Sequence, residues 1–485
     1  MNSSSPTISR RKFLHRAAAG AVALGAARWT AKSYAQIASA NNRIRLATIG
    51  CNDCGRSHIR NFSALKDVQL VGLCDADSAV LDQAHRMAPA AETFGDFRRV
   101  LDRTDIDAVS IATPNHWHAL MTILACQAGK DVYIEKPTCH NIWEGQQALA
   151  AREKYNRIVQ AGTQWRSMTQ VQQAMHFAKS GQLGKIRVSR GFCFKRRPSI
   201  GRTTGPQPIP ATVDYNLWCG PAPLDPPRRT KFHYDWHWFW QTGNGDIGNQ
   251  GAHQMDLARW ALDKPTVAPS VLSFGGRFGY VDDGQTPNTL VAVHDYGDAL
   301  LIFEVRGLPI RTGATQMDQY RGVDVGNCIE CENGYVTITT KLCAAYDADG
   351  NEIQRFAGDG SSPEQRHKEN FLAAVRSRKR DDQACELAEG QVSSSLALLS
   401  NISYLLGGQA NPDAVKASLR GPAAETFDRF AAHLSANGIR LDVDRARLGM
   451  PLSVDPASQR ILSRPDADEL ATRTYREPFV VRPQG

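Results

Sequence analysis

The sequence lacks a hydrophobic run long enough to anchor it in a membrane, and it lacks internal repeats and long low-complexity tracts. Residues 17–27 form an apolar stretch, but it is short and rich in alanine, whereas a spanning helix needs about 20 apolar residues. The composition, 42% hydrophobic and 22% charged over 485 residues, is that of ordinary globular domains. We therefore expect no stable membrane anchor, and a chain of this length has room for two domains.

The chain also has little net charge once the first 35 residues are set aside. The formal net charge is +8, and six basic residues lie at positions 10, 11, 12, 16, 28 and 32 with no acidic residue among them. Without those six, the formal charge is only +2. A nearly neutral chain has no electrostatic footprint for nucleic acid or an anionic membrane, so we expect neither as a partner.

The basic residues at the start have the pattern of an export signal. Arg10-Arg11-Lys12-Phe13-Leu14 precedes the alanine-rich stretch, and Ser33-Tyr34-Ala35 offers a small-x-small cleavage site. The arrangement resembles a twin-arginine (Tat) signal. We therefore interpret residues 1–35 as a Tat signal peptide and expect an exported, periplasmic protein. The alternative is a basic flexible terminus.

Eleven cysteines are an odd number, so at least one is unpaired in any simple disulfide scheme. Cys51-x-x-Cys54 and Cys328-x-x-Cys331 could together form a four-thiolate zinc or iron–sulfur site. The first pair lies in a glycine loop, however, where a metal would displace the ligand of that loop. We therefore predict no metal site and interpret these cysteines as small core residues.

That glycine loop has the spacing of a nucleotide-binding fingerprint. An apolar segment, residues 43–49, enters Gly50-Cys-Asn52-Asp-Cys-Gly55, and a helix-like stretch follows to about residue 66. The spacing is that of the GxGxxG dinucleotide motif, with Asn52 in place of the second glycine. The first glycine makes the tight turn, and the last lets the helix approach the strand. Because asparagine tolerates a left-handed backbone, we expect the loop to survive the change.

A second apolar segment, residues 68–74, ends at Asp75, about 20 residues after the glycine loop. An acidic residue there can bind the adenine-ribose hydroxyls of a dinucleotide. Its charge would repel a 2′-phosphate, and no Arg or Lys follows at residues 76–78. We therefore predict NAD rather than NADP as the cofactor. The alternative is a turn residue at the end of a strand.

Two further segments bring polar side chains to the same edge of the predicted sheet. An apolar strand, residues 108–112, ends at Thr113-Pro-Asn115, and another ends at Glu135-Lys136-Pro137. A helical stretch, residues 119–127, lies between them, as in a doubly wound parallel sheet. Ligands bind beyond the carboxyl ends of such strands, where a lysine can move a proton or bind a substrate hydroxyl.

Four motifs resemble the Gfo/Idh/MocA family, which includes glucose–fructose oxidoreductase and inositol dehydrogenase. They are Gly50-x-Asn-x-x-Gly55, Thr113-Pro-Asn-x-x-His118, Ala128-Gly-Lys-x-Val-x-x-Glu135-Lys-Pro137 and Gly245-Asp-x-Gly-Asn-x-Gly-x-His253-x-x-Asp256. The resemblance implies that Lys136 lies beside the reacting carbon and the nicotinamide, and that His253 transfers the proton. The cofactor-binding residues that it implies are Gly50, Asn52, Gly55, Asp75, Thr113, Asn115, His118 and Glu135.

One position departs from the family pattern. Many members have an aspartate four residues before the histidine, but this chain has Asn249. An amide can orient a hydroxyl, but it cannot take a proton, so His253 would act with Lys136 alone. We expect a carbohydrate or polyol as substrate, in contact with Lys136, Trp165, Trp236, Asn249 and His253.

The resemblance implies an α/β fold with a Rossmann domain at residues 36–162 and an α+β domain at residues 163–485. The second domain would carry an open, largely antiparallel sheet that serves substrate binding and homo-oligomer formation. Strand-like runs between residues 271 and 353 agree with this sheet, and residues 169–179, 361–378 and 391–406 are predicted helices. The aromatic segment 232–240 could bind the faces of sugar rings, or it could be part of the core.

We predict an exported NAD-dependent oxidoreductase that acts on a CH–OH group of a sugar or polyol. Free NAD is not expected to be maintained outside the cytoplasm, whereas the Tat route carries folded proteins. The cofactor would therefore travel bound and be restored within each catalytic cycle. Two alternatives stay open: an NAD-dependent glycosidase of the same family, and a non-catalytic sugar-binding protein with a degenerate Rossmann domain.

Overall fold

A computed structural model describes residues 43–484 of the protein. The predicted export signal, residues 1–35, lies outside this described part. Within it, no helix combines the length and the apolar character that crossing a bilayer requires.

The first domain is built on a six-stranded sheet. Its strands are β1 (Ile44–Ile49), β2 (Val68–Cys74), β3 (Glu92–Phe94), β4 (Ala108–Ile111), β5 (Asp131–Ile134) and β6 (Val159–Ala161). They are all parallel, in the order β3-β2-β1-β4-β5-β6. β1 and β4 are neighbours at the point where the strand order reverses, which is where open α/β sheets bind ligands. The predicted doubly wound parallel sheet is confirmed.

Helices cover both faces of this sheet. They are α1 (Cys54–Ser63), α2 (Ser78–Met87), α3 (Phe97–Leu101), α4 (His118–Gln127) and α5 (Ile142–Lys154). Leu46 of β1 packs with Phe62 of α1, whereas its neighbour Ala47 belongs to the cluster beneath α4 and α5. Successive strand residues face opposite sides, so a strand covered on both faces is apolar throughout. α1 ends at Ser63, slightly before the expected end, and no sequence pattern above predicts β3, α2, α3 or α5.

The second domain contains an eleven-stranded mixed sheet. Ten strands follow the order β14-β13-β12-β11-β7-β10-β9-β8-β16-β15, and β17 pairs with β8. All pairs are antiparallel except β7 with β10, so the expected open, largely antiparallel sheet is confirmed. The strands are β7 (Ile186–Phe194), β8 (Ser270–Gly276), β9 (Thr289–Asp295), β10 (Leu300–Arg306), β11 (Val325–Cys331), β12 (Gly334–Ile338), β13 (Cys343–Asp347), β14 (Glu352–Phe356), β15 (Gly408–Ala410), β16 (Ala446–Leu448) and β17 (Leu452–Ser453).

Helices also lie on both faces of the second sheet. The helices of this part of the chain are α6 (Thr169–Lys179), α7 (Tyr215–Cys219), α8 (Gly245–Asn249), α9 (Gly251–Ala261), α10 (Pro363–Ser377), α11 (Leu387–Leu406), α12 (Pro412–Ala417) and α13 (Pro422–Ala436). Two of them pack on the first domain instead: Phe371 of α10 lies in the cluster of Leu46, and α7 packs near Ala76. Leu290 of β9 packs in the cluster with α9 and α11, and the next residue, Val291, packs against α13 on the opposite face. α9 thereby stands between the second sheet and the first domain, where it can present side chains to a site.

The chain returns to the first domain after the second sheet is complete. Phe479 and Val481 are buried in the same hydrophobic cluster as Ile49, Ile111 and Ile134 of the parallel sheet. Gln484 adds a hydrogen bond to the side chain of Gln127 at 2.9 Å, across 357 residues of sequence. Residues 476–484, which we call the C-terminal strap, therefore tie the two domains together.

Candidate active site

Two adjoining cavities lie at the carboxyl edge of the parallel sheet, where the predicted site residues converge. The first cavity, about 610 Å³, is mainly apolar and includes Gly50, Asp75 and Trp117 in its lining. The second cavity, about 1040 Å³, is more polar and includes Lys136 and Asn249. The two share Asn52, Ala112, Thr113 and Pro114 in their linings, so they lie side by side at this edge of the sheet.

The glycine loop closes the floor of the first cavity. Gly50 has φ +83°, and a Cβ atom there would lie 2.7 Å from the backbone of Ala112. A Cβ atom at Gly55 would lie 2.0 Å from the carbonyl oxygen of Gly50. Both positions therefore require glycine, as the fingerprint predicts. The left-handed residue that follows is not Asn52, however, but Asp53, with φ 39°.

Asp75 lies at the end of β2 and lines the first cavity. One carboxylate oxygen accepts a hydrogen bond from the backbone N–H of Cys51 at 2.8 Å, and the other accepts from Asp77 at 3.0 Å. Burial raises the pKa of Asp75, and these two hydrogen bonds partly offset the effect. The residue thus braces the glycine loop and presents its remaining lone pairs to the cavity, where a ribose would be bound.

A segment of the second domain covers the first cavity. Residues 210–235, which we call the cover, pair with the first domain through Ser78 N–H to the Thr212 carbonyl (2.9 Å) and Asp214 N–H to the Ala76 carbonyl (2.8 Å). His233 adds a contact of 2.8 Å between its Nε2 and the Asp77 carboxylate. Two backbone bonds and one side-chain bond therefore hold the cover over the end of the cavity that contains Asp75.

Trp117 fixes the inner side of the cover. Its indole N–H lies 3.0 Å from the carbonyl oxygen of Leu217 and 3.1 Å from that of Trp218. The cover turns at Gly220 (φ +50°), where a Cβ atom would lie 2.1 Å from the Trp117 ring. On its other side the ring packs edge-on against Phe479 of the C-terminal strap, with centroids 5.2 Å apart. The cover and the strap thus meet at one residue of the first domain.

Lys136 lies in the second cavity and is held by the end of a helix. Its Nζ donates a hydrogen bond of 2.9 Å to the backbone carbonyl of Asn249, the last residue of α8. The Asn249 side chain takes no part in this bond, although the residue lines the cavity. An ammonium group can donate three hydrogen bonds, so Lys136 can still donate to a bound hydroxyl.

Glu135 is buried behind Lys136 and pairs with a histidine that sequence reasoning missed. Its Oε1 lies 3.0 Å from Nε2 of His58. Burial acts to raise the pKa of Glu135, but the His58 hydrogen bond and the charges of Lys136 and Lys368 lower it overall. Burial lowers the pKa of His58, so its ring is neutral and Nε2–H is the donor. Glu135 therefore stays ionised beneath the cavity.

His118 and Asn115 connect the loops that surround the second cavity. The ring nitrogens of His118 lie 2.6 Å from the Pro137 carbonyl and 2.8 Å from the Thr113 carbonyl. Asn115 donates to the side chain of Asn244, and its own Oδ1 is buried without a partner. His118 thus links the two predicted polar loops, and Asn115 retains an acceptor that a ligand could use.

His253 is not part of the lining of either cavity. It is only 6% exposed, and its ring stacks on Trp165 with centroids 6.2 Å apart and an interplanar angle of 22°. Its Nδ1 has no hydrogen-bond partner. Burial, helped by the charge of Lys136, lowers the pKa of His253 to about 3. Trp165, 7% exposed, lies in the core beside it and does not line the cavities either.

The far wall of the second cavity contains residues that the sequence interpretation did not select. Arg197 donates two hydrogen bonds to the carboxylate of Asp246, at 2.8 and 2.7 Å, and one to the hydroxyl of Tyr234 at 2.7 Å. Asp246 follows the first glycine of the Gly245 motif, and Tyr234 belongs to the aromatic segment 232–240. The sequence therefore contained a pattern that could have pointed to each of them. Trp236 lines the cavity, whereas Trp238 is buried in the protein.

All eleven cysteines are free of disulfide bonds. Cys51 and Cys54 lie at the glycine loop, and Cys328 and Cys331 lie on β11 of the other domain. Within residues 43–484, no group of three or more His, Cys, Asp or Glu side chains is arranged to hold a metal ion.

Two family profiles match the chain. Residues 44–163 match the Gfo/Idh/MocA profile described as "Oxidoreductase family, NAD-binding Rossmann fold". Residues 167–282 match the profile of that family's C-terminal alpha/beta domain. The matches meet between β6 and α6, where the parallel sheet ends.

Among curated relatives, the chain is 33% identical over 171 residues to a glycosyl hydrolase family 109 protein of Shewanella baltica. That match spans 30% of this chain but only 37% of the relative. An alpha-N-acetylgalactosaminidase of Shewanella oneidensis is 36% identical over 120 residues, which are 23% of this chain and 26% of the relative. Both matches therefore cover only part of either protein.

Solved structures resemble the fold over a greater length. The WlbA dehydrogenase from Bordetella pertussis, in complex with NADH and UDP-GlcNAcA, superposes with a TM-score of 0.55 at 20% identity, over 74% of this chain and 94% of that one. Levoglucosan dehydrogenase, in complex with NADH and levoglucosan, gives a TM-score of 0.55 at 17% identity, over 73% and 95%. At these identities the likeness shows the two-domain oxidoreductase fold.

Proposed function

We propose that the protein is an NAD-dependent enzyme acting on a sugar or polyol hydroxyl, because residues 44–163 and 167–282 match the two domain profiles of the Gfo/Idh/MocA oxidoreductase family. The observation that carries this proposal is the pair of adjoining cavities. An apolar cavity at the glycine loop lies beside a polar cavity that contains Lys136, and Thr113 lines both. A nucleotide fits the first cavity and a small polyhydroxylated molecule the second.

The residues of the first cavity fit NAD. Gly50 and Gly55 keep the tight turn and the close helix approach of the fingerprint, and Asn52 stands at the position nearest a pyrophosphate. The Asp75 carboxylate lies where ribose hydroxyls would be bound. Asn115 and Thr113 extend the row of polar groups toward Lys136. When bound, the nicotinamide ring would supply an acceptor and donor of hydride.

Lys136 is the residue that would contact the reacting hydroxyl. Its Nζ is fixed by the Asn249 carbonyl, so its remaining N–H groups point from a defined position into the cavity. Donation to the substrate oxygen would stabilise the negative charge that develops there as hydride leaves the carbon. Because His253 lines neither cavity, its neutral ring would take up the proton through Lys136, which would release one proton to the ring as it accepts one from the hydroxyl.

The cover supports a cofactor that stays bound through many cycles. Residues 210–235 are attached to the first domain by backbone hydrogen bonds and by Trp117, so NAD could leave only after these contacts open. A retained cofactor must return to its starting redox state, so the oxidation of one substrate would be coupled to the reduction of another. Such a protein could be exported with its cofactor enclosed.

Cofactor retention can be tested directly on purified protein. The protein is denatured by acid, and the supernatant is analysed for nicotinamide nucleotides. We expect close to one nucleotide per chain, and little NADH accumulation when a single sugar is supplied. Stoichiometric release of NADH into solution in the presence of added NAD would indicate an ordinary soluble dehydrogenase. Absence of bound nucleotide, with no binding on titration, would indicate a non-catalytic sugar-binding protein.

A glycosidase is the second candidate function, and the similarity to glycosyl hydrolase family 109 proteins favours it. In that reaction, hydride transfer from a sugar hydroxyl to NAD would acidify the adjacent C–H, and loss of that proton would expel the aglycone. Water would then add to the resulting double bond at the anomeric carbon, and the hydride would return to the ring. The same cleft would serve, because the cofactor again ends in its starting state. Aryl glycosides in deuterated water distinguish the two functions. Release of the aryl alcohol, with solvent deuterium incorporated next to the anomeric carbon, supports the glycosidase. Paired oxidation and reduction of two sugars supports the oxidoreductase.

A further inference from the structure

A third cavity, about 920 Å³, lies on the other side of Asn244 from the second cavity. The Asn244 side chain accepts a hydrogen bond from Asn115 and donates one of 3.2 Å to the carbonyl of His140. Asn244 is the one residue that lines both cavities, so it forms the wall between them. The third cavity is bounded by the start of α5, the second half of α11 and residues 470–474. It is distinct from the proposed NAD and substrate cleft.

The polar end of this cavity is formed by Arg473. The guanidinium donates 2.9 Å to the carbonyl of Gln241 and lies 3.3 Å from Nδ1 of His140. No carboxylate among the described residues forms an ion pair with it. Burial lowers the pKa of Arg473, although the guanidinium remains charged at neutral pH. The cavity therefore contains a cation that is partly removed from water and lacks a direct counter-ion.

Glu144 is the acidic residue whose charge acts on Arg473, but its carboxylate already accepts hydrogen bonds from other groups. It is buried, and it accepts hydrogen bonds from the backbone N–H of His140 at 3.1 Å and from the side chain of Asn141 at 2.8 Å. Burial raises the pKa of Glu144 to about 7, and Arg473 only partly offsets this. Glu144 is therefore a weak counter-ion for Arg473 near neutral pH.

Two buried polar atoms at the same cavity also lack partners. Because Nδ1 of His140 faces the Arg473 cation, Nδ1 must be the acceptor, and the ring proton lies on Nε2, which has no partner. Asn401 lines the cavity as well, and its Oδ1 is buried without a partner. Polar groups in this state normally gain from a ligand or an ordered water.

The opposite end of the cavity is apolar. Leu398, Ile402 and Leu405 lie along one side of α11, and Trp240 and Leu470 close the remaining walls. Leu405 is 36% exposed, so this apolar surface is open to solvent on one side. A cation at one end and an aliphatic and aromatic surface at the other match a molecule with a carboxylate head and a hydrocarbon body.

We infer that the third cavity is a second ligand site, which binds a small organic carboxylate through Arg473 and holds its apolar body against Leu398, Ile402 and Leu405. The carboxylate of the ligand serves as the counter-ion that Arg473 lacks, and the apolar body of the ligand shields the apolar wall from water. This site is independent of the reaction proposed for the main cleft, and it would bind its ligand whether or not NAD is present.

The test uses three probes that separate charge from apolar surface. The full-length protein is titrated by calorimetry with 4-phenylbutyrate, with its neutral analogue 4-phenylbutyramide, and with acetate. We expect 4-phenylbutyrate to bind at least about tenfold more tightly than either control, because only it satisfies both ends of the cavity. Equal affinities for the carboxylate and the amide, or no binding of any probe, would overturn the inference.

Matched variants locate the binding. Arg473→Gln should reduce the affinity for 4-phenylbutyrate to that for the amide. Arg157→Gln is the control, because Arg157 also donates to backbone carbonyls, those of Tyr155 and Gly129, but lies outside the cavity. Leu405→Trp should weaken both phenyl probes, because the new ring occupies the place of the apolar body. Unchanged affinity in Arg473→Gln, or an equal loss in Arg157→Gln, would contradict the assignment.

Discussion

Lys136 donates its hydrogen bond to a backbone carbonyl rather than to a carboxylate. Its role can therefore be tested by substitution without changing the group that holds it. Lys136→Ala removes the only hydrogen-bond donor at this position, so turnover should fall by roughly 10²–10⁴. The cofactor should stay bound, because the first cavity is unchanged. Steady-state kinetics and nucleotide content measured on the same preparation check both statements.

Asn249→Ala provides the comparison for Lys136. The variant keeps the backbone carbonyl that accepts from Lys136 and removes only the amide side chain. We expect a higher KM with kcat within a few-fold of wild type. A loss of kcat as large as that of Lys136→Ala would show that the amide is part of the chemical step.

His253 is buried against Trp165, so a change there must be separated into chemistry and packing. His253→Asn should reduce kcat by roughly 10²–10⁴ if the neutral ring accepts the proton. Trp165→Phe keeps an aromatic ring against His253 and should leave kcat within about threefold, with a lower melting temperature. Wild-type turnover in His253→Asn would assign the ring a packing role only.

Individual site residues could be predicted from the sequence where a strand end positions them. Thr113 and Lys136 follow apolar strands directly, and the parallel topology then brings them to one cleft. His58, Arg197 and Asp246 could not be selected in this way, because each is defined by a partner far away in sequence. The burial of His253 behind Trp165 depends likewise on how α9 packs, which no local pattern specifies.

Among the larger elements, the cover gives the sharpest prediction. Gly220→Ala places a methyl group against the Trp117 ring at a residue with φ +50°, so it should loosen the cover. We expect bound NAD to dissociate about tenfold faster or more, measured by displacement with excess fluorescent analogue. The chemical step should be much less affected, because the substitution lies at Trp117 and Gly220, which line or adjoin the first cavity and not the second.

Gly201→Ala is the matched control for backbone strain. Gly201 has φ +75°, but a Cβ atom there has nothing within 4 Å. The substitution imposes a similar backbone cost without contacting Trp117. Equal acceleration of NAD release in both variants would refute the role assigned to the contact between Gly220 and Trp117.

The sequence patterns predicted the helices and strands that are long enough to show several periods of hydrophobic residues. They failed for elements of only two or three residues. The predicted helix 169–179 coincides with α6 (Thr169–Lys179), and the strands around the glycine loop end within one residue of expectation. β15, β16 and β17 contain three residues or fewer and depend on tertiary partners: β16 and β17 pair with β8, and β15 pairs with β16. α13 was missed although Phe427, Phe430 and Leu434 show helical spacing, so that signal was available.

At the scale of the whole molecule, several buried histidines should make the protein sensitive to acid. Burial lowers the pKa of His116, His253 and His294 to about 3, and that of His237 and His367 to about 4. In the unfolded chain these rings take up protons below about pH 6.5, whereas in the folded protein they do not. Stability should therefore be lost as the pH falls from about 6.5 toward 4, by about 1.4 kcal/mol per pH unit for each such ring.

One histidine outside the site provides the test. His294→Asn removes a titrating ring, so the loss of unfolding free energy between pH 6.5 and pH 5 should be smaller than in wild type by about 2 kcal/mol. Ser400→Ala removes the same 3.0 Å contact of His294 without removing the ring, so its pH dependence should match that of wild type. Urea denaturation at both pH values measures the difference, and an unchanged difference in His294→Asn would contradict the explanation.

The C-terminal strap also has a consequence for the time at which the protein can fold. Residues 476–484 complete a cluster that begins at β1, and the bond between Gln127 and Gln484 spans 357 residues. At about 5–20 residues per second, a ribosome needs from roughly 18 to 70 seconds to synthesise that stretch. During this interval the nascent first domain exposes the surface that Phe479 and Val481 later cover. We therefore expect a chain that ends before residue 476 to expose this apolar surface permanently and to aggregate more readily than the full-length protein.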